Sequence, residues 1–302
     1  MKTALQNFLN AFPYPQDAKT ALLQDLERIL SNPDASRQFL SPIKAYAQGQ
    51  PIDFPAARQD AAAAGASVGV HEYSAHFLLY ACLTEPLRHR YMEKGLDEAL
   101  WHDSVMDLYY KLNECHAVYG IWGSFVAFWF DRFFDMTRFA LGRLQFETTT
   151  FYLTDSYNKH GLHLKYGEGE LLGVHIPSGS RLGYESVLDS YRRAYQFYKH
   201  LTIDGVLPII CESWLLYDGL EEFLPQDSNI IRFKQDFEIL KNVEHPAFED
   251  CWRMFEVQYT GNPADLPRDT SLRRRYADWI AAGGIPGSGY GILLFDGEKV
   301  IK

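Results

Sequence analysis

One stretch of this 302-residue chain concentrates groups able to do chemistry: Leu171–Ser186, LLGVHIPSGSRLGYES. An apolar run carries His175, stops at Pro177, turns through Ser178, Gly179 and Ser180, and opens a segment of helical spacing. Small residues let consecutive backbone N–H groups converge. A helix start near Gly183 adds its free N–H groups and partial positive charge. Arg181 supplies a cation, and Ile176 and Leu182 frame the turn. Such a corner suits a pyrophosphate that is held and not hydrolysed. The same grammar also serves plain α/β corners. No G-K-[ST] ending reaches for terminal phosphates, and no G-x-G-x-x-G is present. The glycine-rich GGIPGSGYG, Gly283 to Gly291, does not lead from strand into helix and reads as a flexible loop.

Upstream, RLQFE alternates polar and apolar residues. On a strand, Arg143, Gln145 and Glu147 share one face, opposite Leu144 and Phe146. Three polar groups on one face of a buried sheet make either a pocket wall or a structural network around Arg143 and Glu147. Ser178 sits between strand and helix as a hydrolase nucleophile would. Its neighbours, Ile176-Pro177-Ser178-Gly179-Ser180, lack the first glycine of G-x-S-x-G, so a serine hydrolase is the lesser reading. His71 and His76 are five apart, not the four of HExxH. His160 and His163 are three apart in an extended segment and face opposite ways, so no metal site is expected.

The elements that must position these groups divide into two styles. The first third is helical: Asp17 to Leu30 places Ala21, Leu22, Leu26, Ile29 and Leu30 on one face, with Asp17 as a cap and Asn32-Pro33 as a stop. A helix interrupted near Pro86 follows, then another from Leu96 to Gly120, and an aromatic segment to Gly142. Arg143 to Leu153 then reads as a strand, and two short strands join at Gly167-Glu168-Gly169. Tyr184 to Leu201 is helical, and Val206 to Leu216 is an apolar run suited to a strand buried on both faces. FEILKNVE and CWRMFEVQY read as closing strands. A helix over Arg268 to Gly283 precedes a final strand or hairpin turning at Asp296-Gly297.

Composition sets the bounds. The chain is 47% hydrophobic and 15% aromatic, enough for a sizeable core. A net charge of -10 works against nucleic acid as a partner. Cys82, Cys115, Cys211 and Cys251 are scattered without CxxC spacing, which fits a reducing cytoplasm. The first residues lack a signal-peptide pattern. The longest apolar run, His116 to Phe130, is too short to span a bilayer, so no membrane association is expected.

LGRLQFE, VHIPSGSRL, CESWLL and LPQDSNIIRF, in order from Leu141 to Phe233, resemble the signature segments of a bacterial family of two-domain acyltransferases. With the helical first part, the resemblance covers most of the chain. It implies an α+β protein. A helical N-terminal domain, residues 1–118, would pack on a GNAT-like mixed α/β domain, residues 119–302. The latter would carry a central, largely antiparallel sheet splayed between its fourth and fifth strands. By this resemblance those strands are Leu171 to Ile176 and Val206 to Leu216, and acetyl-CoA or another acyl-CoA lies in the gap. The pyrophosphate would rest on Pro177–Gly183, although PSGSRLG departs from the usual [QR]-x-x-G-x-[GA] loop. The implied reaction is acylation of a small amine by direct attack, with no metal. His175 or Glu147 would be the base and Tyr217 the acid, with Glu212 and Ser213 as alternatives. Arg143, Gln145, Glu212, Ser213 and Trp214 would line the acceptor side. A non-catalytic GNAT-like sensor is the other reading.

Overall fold

The computed structural model describes residues 1–301. By internal contacts the chain divides between Phe139 and Ala140, further along than the boundary expected at 118.

The first unit is built from six long helices: α1 (Lys2–Ala11), α2 (Gln16–Ser31), α3 (Pro33–Ala47), α4 (Phe54–Ala66), α5 (Glu72–Glu93) and α6 (Glu98–Tyr119). Short polar side chains start several of them. Asn32 accepts from the amides of Asp34 and Ala35 ahead of α3, Asp53 from Ala56, and Asp97 from Ala99 and Leu100. Asp17 is not a cap; it lies in the first turn of α2, which begins one residue earlier. α5 is buried nearly all round, from Ser74 to Thr84, and is packed by α1, α2, α3, α4 and α6. It runs unbroken through Pro86, because this burial outweighs the roughly 3 kcal/mol that an interior proline costs. Arg58 on α4 donates to the Tyr80 hydroxyl at 2.7 Å and to the Asp131 carboxylate, to which Tyr80 also donates.

The aromatic segment after α6 is not one helix. It gives a 3-10 turn (Ala127–Phe130), the single helical turn α7 (Asp131–Phe134) and strand β1 (Arg138–Leu141). Beyond it come β2 (Leu144–Thr149), β3 (Ser156–Lys159), β4 (Leu162–Lys165), β5 (Leu171–His175), α8 (Tyr184–Phe197), β6 (Leu207–Ser213), α9 (Asn229–Gln235), β7 (Glu238–Glu244), α10 (Cys251–Phe255), α11 (Ser271–Ala281), β8 (Gly287–Phe295) and β9 (Val300–Ile301). The main sheet has the order β1-β2-β5-β6-β8-β7, with β9 on β8. β3 and β4 form a separate hairpin, and the two short strands expected on either side of Gly167-Glu168-Gly169 are β4 and β5, joined there but not paired with each other.

Several sequence expectations change with the packing. CWRMFEVQY is not a strand: Cys251, Met254 and Phe255 are buried at helical spacing on α10. GGIPGSGYG is not a flexible loop, since Gly287–Gly291 opens β8 and is largely buried. The glycines are needed there. A Cβ at Gly289 would lie 2.2 Å from the Leu216 carbonyl oxygen, and one at Gly287 would lie 2.5 Å from the Tyr217 ring. The strand expected over Val206–Leu216 stops at Ser213, and Trp214–Leu216 is a 3-10 turn.

Side-chain alternation gives the sheet two distinct faces. On one, α8 lays Val187, Tyr191 and Ala194, with Tyr191 against Phe295 at 5.8 Å. On the other, the β3–β4 hairpin buries Tyr157, Leu162 and Leu164 over Leu171, Ile210, Ile292 and Leu294.

Candidate active site at the sheet opening

β5 and β6 are parallel, and their register holds only two pairs, Leu172 with Ile209 and Gly173 with Ile210. Past that point β5 stays with β2 and β6 stays with β8, whose ladder continues to Ser213. The sheet therefore opens toward the C-terminal ends of both strands. These are the two strands the resemblance numbers fourth and fifth; they are fifth and sixth in chain order.

His175 ends β5 on the hairpin-covered face. Its Nε2 lies 2.8 Å from Glu147 Oε1 on β2, and both residues are half-buried. The register sets Gln145 opposite His175 and Glu147 opposite Gly173, so the His175–Glu147 pair is diagonal. Gly173 makes room for it: an added Cβ would stand 3.3 Å from Thr149 Cγ2 and 3.7 Å from Glu147 Cγ. An ionised carboxylate only accepts, so the imidazole donates from Nε2, and Nδ1 is the basic atom of that tautomer. Gln145, opposite His175 in the ladder, is buried.

Across the opening, the same face of β6 carries Ile210 and then Glu212. Glu212 pairs in register with Tyr290 on β8, whose hydroxyl donates to Glu212 Oε1 at 2.7 Å. Burial, and then the bond to Glu212, push the Tyr290 phenol up to about 12. Tyr152 is likewise raised, first by burial and then by charges that include Glu212 and Glu147.

The loop after β5 is held in two ways. Arg143 Nε donates to the Ser180 carbonyl at 2.9 Å. The Arg143 amide donates to Ser190 Oγ on α8 at 2.7 Å, a contact that Gly142 permits, because a Cβ there would meet Ser190 Oγ at 2.8 Å. Ser178, Gly179, Ser180 and Arg181 are exposed, Ile176 is half-buried and Leu182 is buried. Gly179 takes φ +116, a region open to glycine. Gly183 precedes the first turn of α8, where no side chain caps the N–H groups. Ser178 does not have the positive φ of a strained nucleophile turn.

A model of GNAT-like C-terminal domains matches residues 139–293, and one of N-acyltransferase N-terminal domains matches residues 3–136. The chain belongs to the two-domain N-acyltransferase family. Solved structures share its fold. One is an acyltransferase in complex with decanoyl-CoA and teicoplanin, 21% identical, with a TM-score of 0.60 over 96% of this chain and 85% of that one. Another is an acyltransferase with CoA and 10C-teicoplanin, also 21% identical, with a TM-score of 0.61 over 93% and 88%. A mutant with octanoyl-CoA is 22% identical, with a TM-score of 0.60 over 96% and 85%. No curated protein gives a significant match.

Within this acyltransferase the remaining expected residues separate. Tyr217 does not end β6. It follows the 3-10 turn and lies against Gly287 and Gly219, on the face opposite Tyr290. Ser213 also points to that opposite face, and its Oγ accepts from the Leu215 amide at 3.2 Å, capping the turn. Trp214 lines a separate pocket further along. Arg143 ties the loop down through the Ser180 carbonyl. Sequence reasoning missed Tyr290; strict alternation along Gly287–Phe295, paired against Val206–Leu216, carried the signal. Among the described residues, no group of three or more His, Cys, Asp or Glu stands together as a metal site. No described helix is long and apolar enough to cross a membrane.

Proposed function

We propose that this protein transfers an acyl group from acyl-CoA to a small amine, with direct attack of the amine on the thioester at the β5–β6 opening. The observation that carries the reading is the His175–Glu147 pair at the edge of a parallel strand pair that parts after two residues. The acyl-CoA complexes of the structural neighbours support the choice of donor.

The pyrophosphate rests on Ile176–Gly183, where the α8 N-terminus, the loop amides and Arg181 face it and Arg143 fixes the loop. His175 Nδ1 takes a proton from the amine as the C–N bond forms. Glu147 holds the ring and stabilises the imidazolium. Backbone N–H groups bared by the parting strands stabilise the oxyanion. When the C–S bond breaks, the imidazolium gives its proton to the thiolate; imidazolium is ordinarily the stronger acid than a thiol, so this step runs downhill. A Tyr290 phenol at about 12 is too weak an acid for that role. It serves as a hydrogen-bond donor to Glu212, whose carboxylate attracts the incoming ammonium; that ammonium releases one proton to solvent before the neutral amine attacks. Tyr217 is left out of the reaction.

Calorimetry with acetyl-CoA and longer acyl-CoAs tests the donor site. Wild type binds, and Gly179→Trp, which blocks the loop, does not. Absence of binding to wild type, or equal binding to both, defeats the reading. His175→Ala keeps acyl-CoA affinity and loses transfer; a variant that transfers normally removes His175 from the mechanism.

A further inference from the structure

One row of side chains runs straight across the sheet at the opening. Gln145 on β2 faces His175 on β5, Glu212 on β6 faces Tyr290 on β8, and Tyr290 faces Lys241 on β7. Residues directly opposite in a ladder share a face of the sheet. Leu171, on the same alternation as His175, and Tyr290 both pack in the cluster under the β3–β4 hairpin, so the two halves of the row stand on one face. The pairing of Gly173 with Ile210 sets Glu212 level with His175 across the gap. Lys241 takes no part in the reaction described above.

Lys241 owes its place to an irregularity in β7. Ile239 pairs with Gly291 and Lys241 with Tyr290, so Leu240 is an extra residue on that strand. Without it, Leu240 would face Tyr290, and Lys241 would face Gly289 on the other side of the sheet. Bulges beside active sites re-aim side chains in this way. β7 is also an edge strand, where a lysine ordinarily keeps other chains from pairing. That role is served from either face and needs no bulge.

The charge on Lys241 is exposed and joins no ion pair among the described residues. Its Nζ stands 5.5 Å from the centroid of the Tyr290 ring, and the hydroxyl of that ring donates to Glu212 Oε1 at 2.7 Å. One phenol therefore separates a cation from an anion, and with the lysine over the ring the two charges are roughly 7 Å apart. An α-amino acid carries its nitrogen and carboxylate oxygens about 3 Å apart, and a charge-assisted hydrogen bond at each end adds about 2.8 Å. Such a molecule spans the gap and leaves its nitrogen beside the opening, facing His175.

We infer that the acceptor is an α-amino acid, with its ammonium on Glu212 and its carboxylate on Lys241. The inference rests on the acyl-transfer reading for where the amine sits. The ammonium loses one proton to solvent, and the neutral nitrogen attacks the thioester. As the C–S bond breaks, the second proton passes through His175 to the sulfur. The products are an N-acyl amino acid and CoA thiol. The experiment offers the protein acetyl-CoA or decanoyl-CoA and an equal mixture of the proteinogenic amino acids and their carboxamides, with acylated products read by mass spectrometry. A carboxamide keeps the shape and removes the charge. Wild type should yield N-acyl amino acids. The acid-to-amide product ratio should fall about tenfold or more in Lys241→Met, fall further in Lys241→Glu and hold in Lys241→Arg. The intrinsic reactivity of each amine is common to all variants, so the change in ratio reads Lys241 alone. Acylation of amides only by wild type, or an equal ratio in wild type and Lys241→Met, overturns the assignment. Ligand-observed NMR of the same amino acids with the CoA-bound protein reads binding without turnover. Amino-acid binding that Lys241→Met abolishes, with no acylated product, supports the site and defeats the acyl-transfer reading alone. Acyl transfer with a ratio indifferent to Lys241 defeats the amino-acid inference alone. Neither binding nor product in wild type overturns both.

Discussion

Gly173 offers a way to break the His175–Glu147 pair without touching either residue. A Cβ at 173 meets Thr149 Cγ2 at 3.3 Å and Glu147 Cγ at 3.7 Å. In Gly173→Ala, Thr149 yields by a few tenths of an ångström, and the strand gains about 0.4–1 kcal/mol from lost freedom in the unfolded chain. In Gly173→Val, a γ carbon extends roughly 1.5 Å further into the volume of the Glu147 stem. The carboxylate must then leave its 2.8 Å position, and a contact beyond about 3.5 Å is no hydrogen bond. A hydrogen bond to a charged group is worth about 1.5–3 kcal/mol. If it is realised in the transition state, its loss lowers kcat roughly 10- to 150-fold. Release of CoA thiol, followed with a disulfide reagent and an acceptor amine, gives kcat; thermal unfolding gives stability. The expected pattern is near-normal turnover and melting temperature for Ala, and for Val the stated loss of turnover together with a lower melting temperature, because the same bond is lost from the folded state. Full turnover in Val with the pair visibly parted would refute the role of Glu147. Equal losses in Ala and Val would refute the steric reasoning.

Three further outcomes follow from other parts of the molecule. All four cysteines are buried, and burial raises the Cys82, Cys115 and Cys251 thiols to about 12 and Cys211 higher still, so native protein should react with a disulfide reagent only after denaturant is added. The Tyr290 phenol is raised from 10.0 to about 12, so its contribution is complete below pH 10 and is lost as pH rises toward 12, because the unfolded phenol gives up its proton first. Urea unfolding across pH 9–12 should show that fall, shared with other buried tyrosines such as Tyr46, Tyr80 and Tyr91, and Tyr290→Phe should make it shallower by one tyrosine's share. Arg58→Met strands the partly buried Asp131 carboxylate and should cost about 3 kcal/mol in urea unfolding; a change within about 0.5 kcal/mol would contradict a structural role for the pair.

Much of the site was legible because strands write their faces in alternation. Glu147 and His175 could be placed on facing strands from RLQFE and LLGVHIP, and the α8 start from the small residues before it. What stayed hidden depended on pairing. The apolar run alone puts Tyr217 at the end of a strand, but the chain leaves β6 at Ser213 to enter a 3-10 turn that packs against glycines more than seventy residues later. Those glycines, Gly287, Gly289 and Gly291, looked like loop because their strand supplies backbone surface and no side chains on one face. β1 was masked by the aromatic run before it, whose rings are core in short turns and not in one helix. Pro86 shows the same limit in α5, where tertiary burial overrides local propensity.

The two-pair ladder between β5 and β6 also bears on how the domain assembles. It is the one parallel pairing in the main sheet among the described residues, and it is flanked by antiparallel neighbours, β2 with β5 on one side and β6 with β8 and β7 on the other. Either half-sheet can form its ladder alone. Joining them requires closure of the α8 crossover, whose loop entropy is spent before the long-range contacts return it. The seam is therefore expected to close last and to open first in native-state exchange, with amides beside it less protected than those in the middle of β6 and β8.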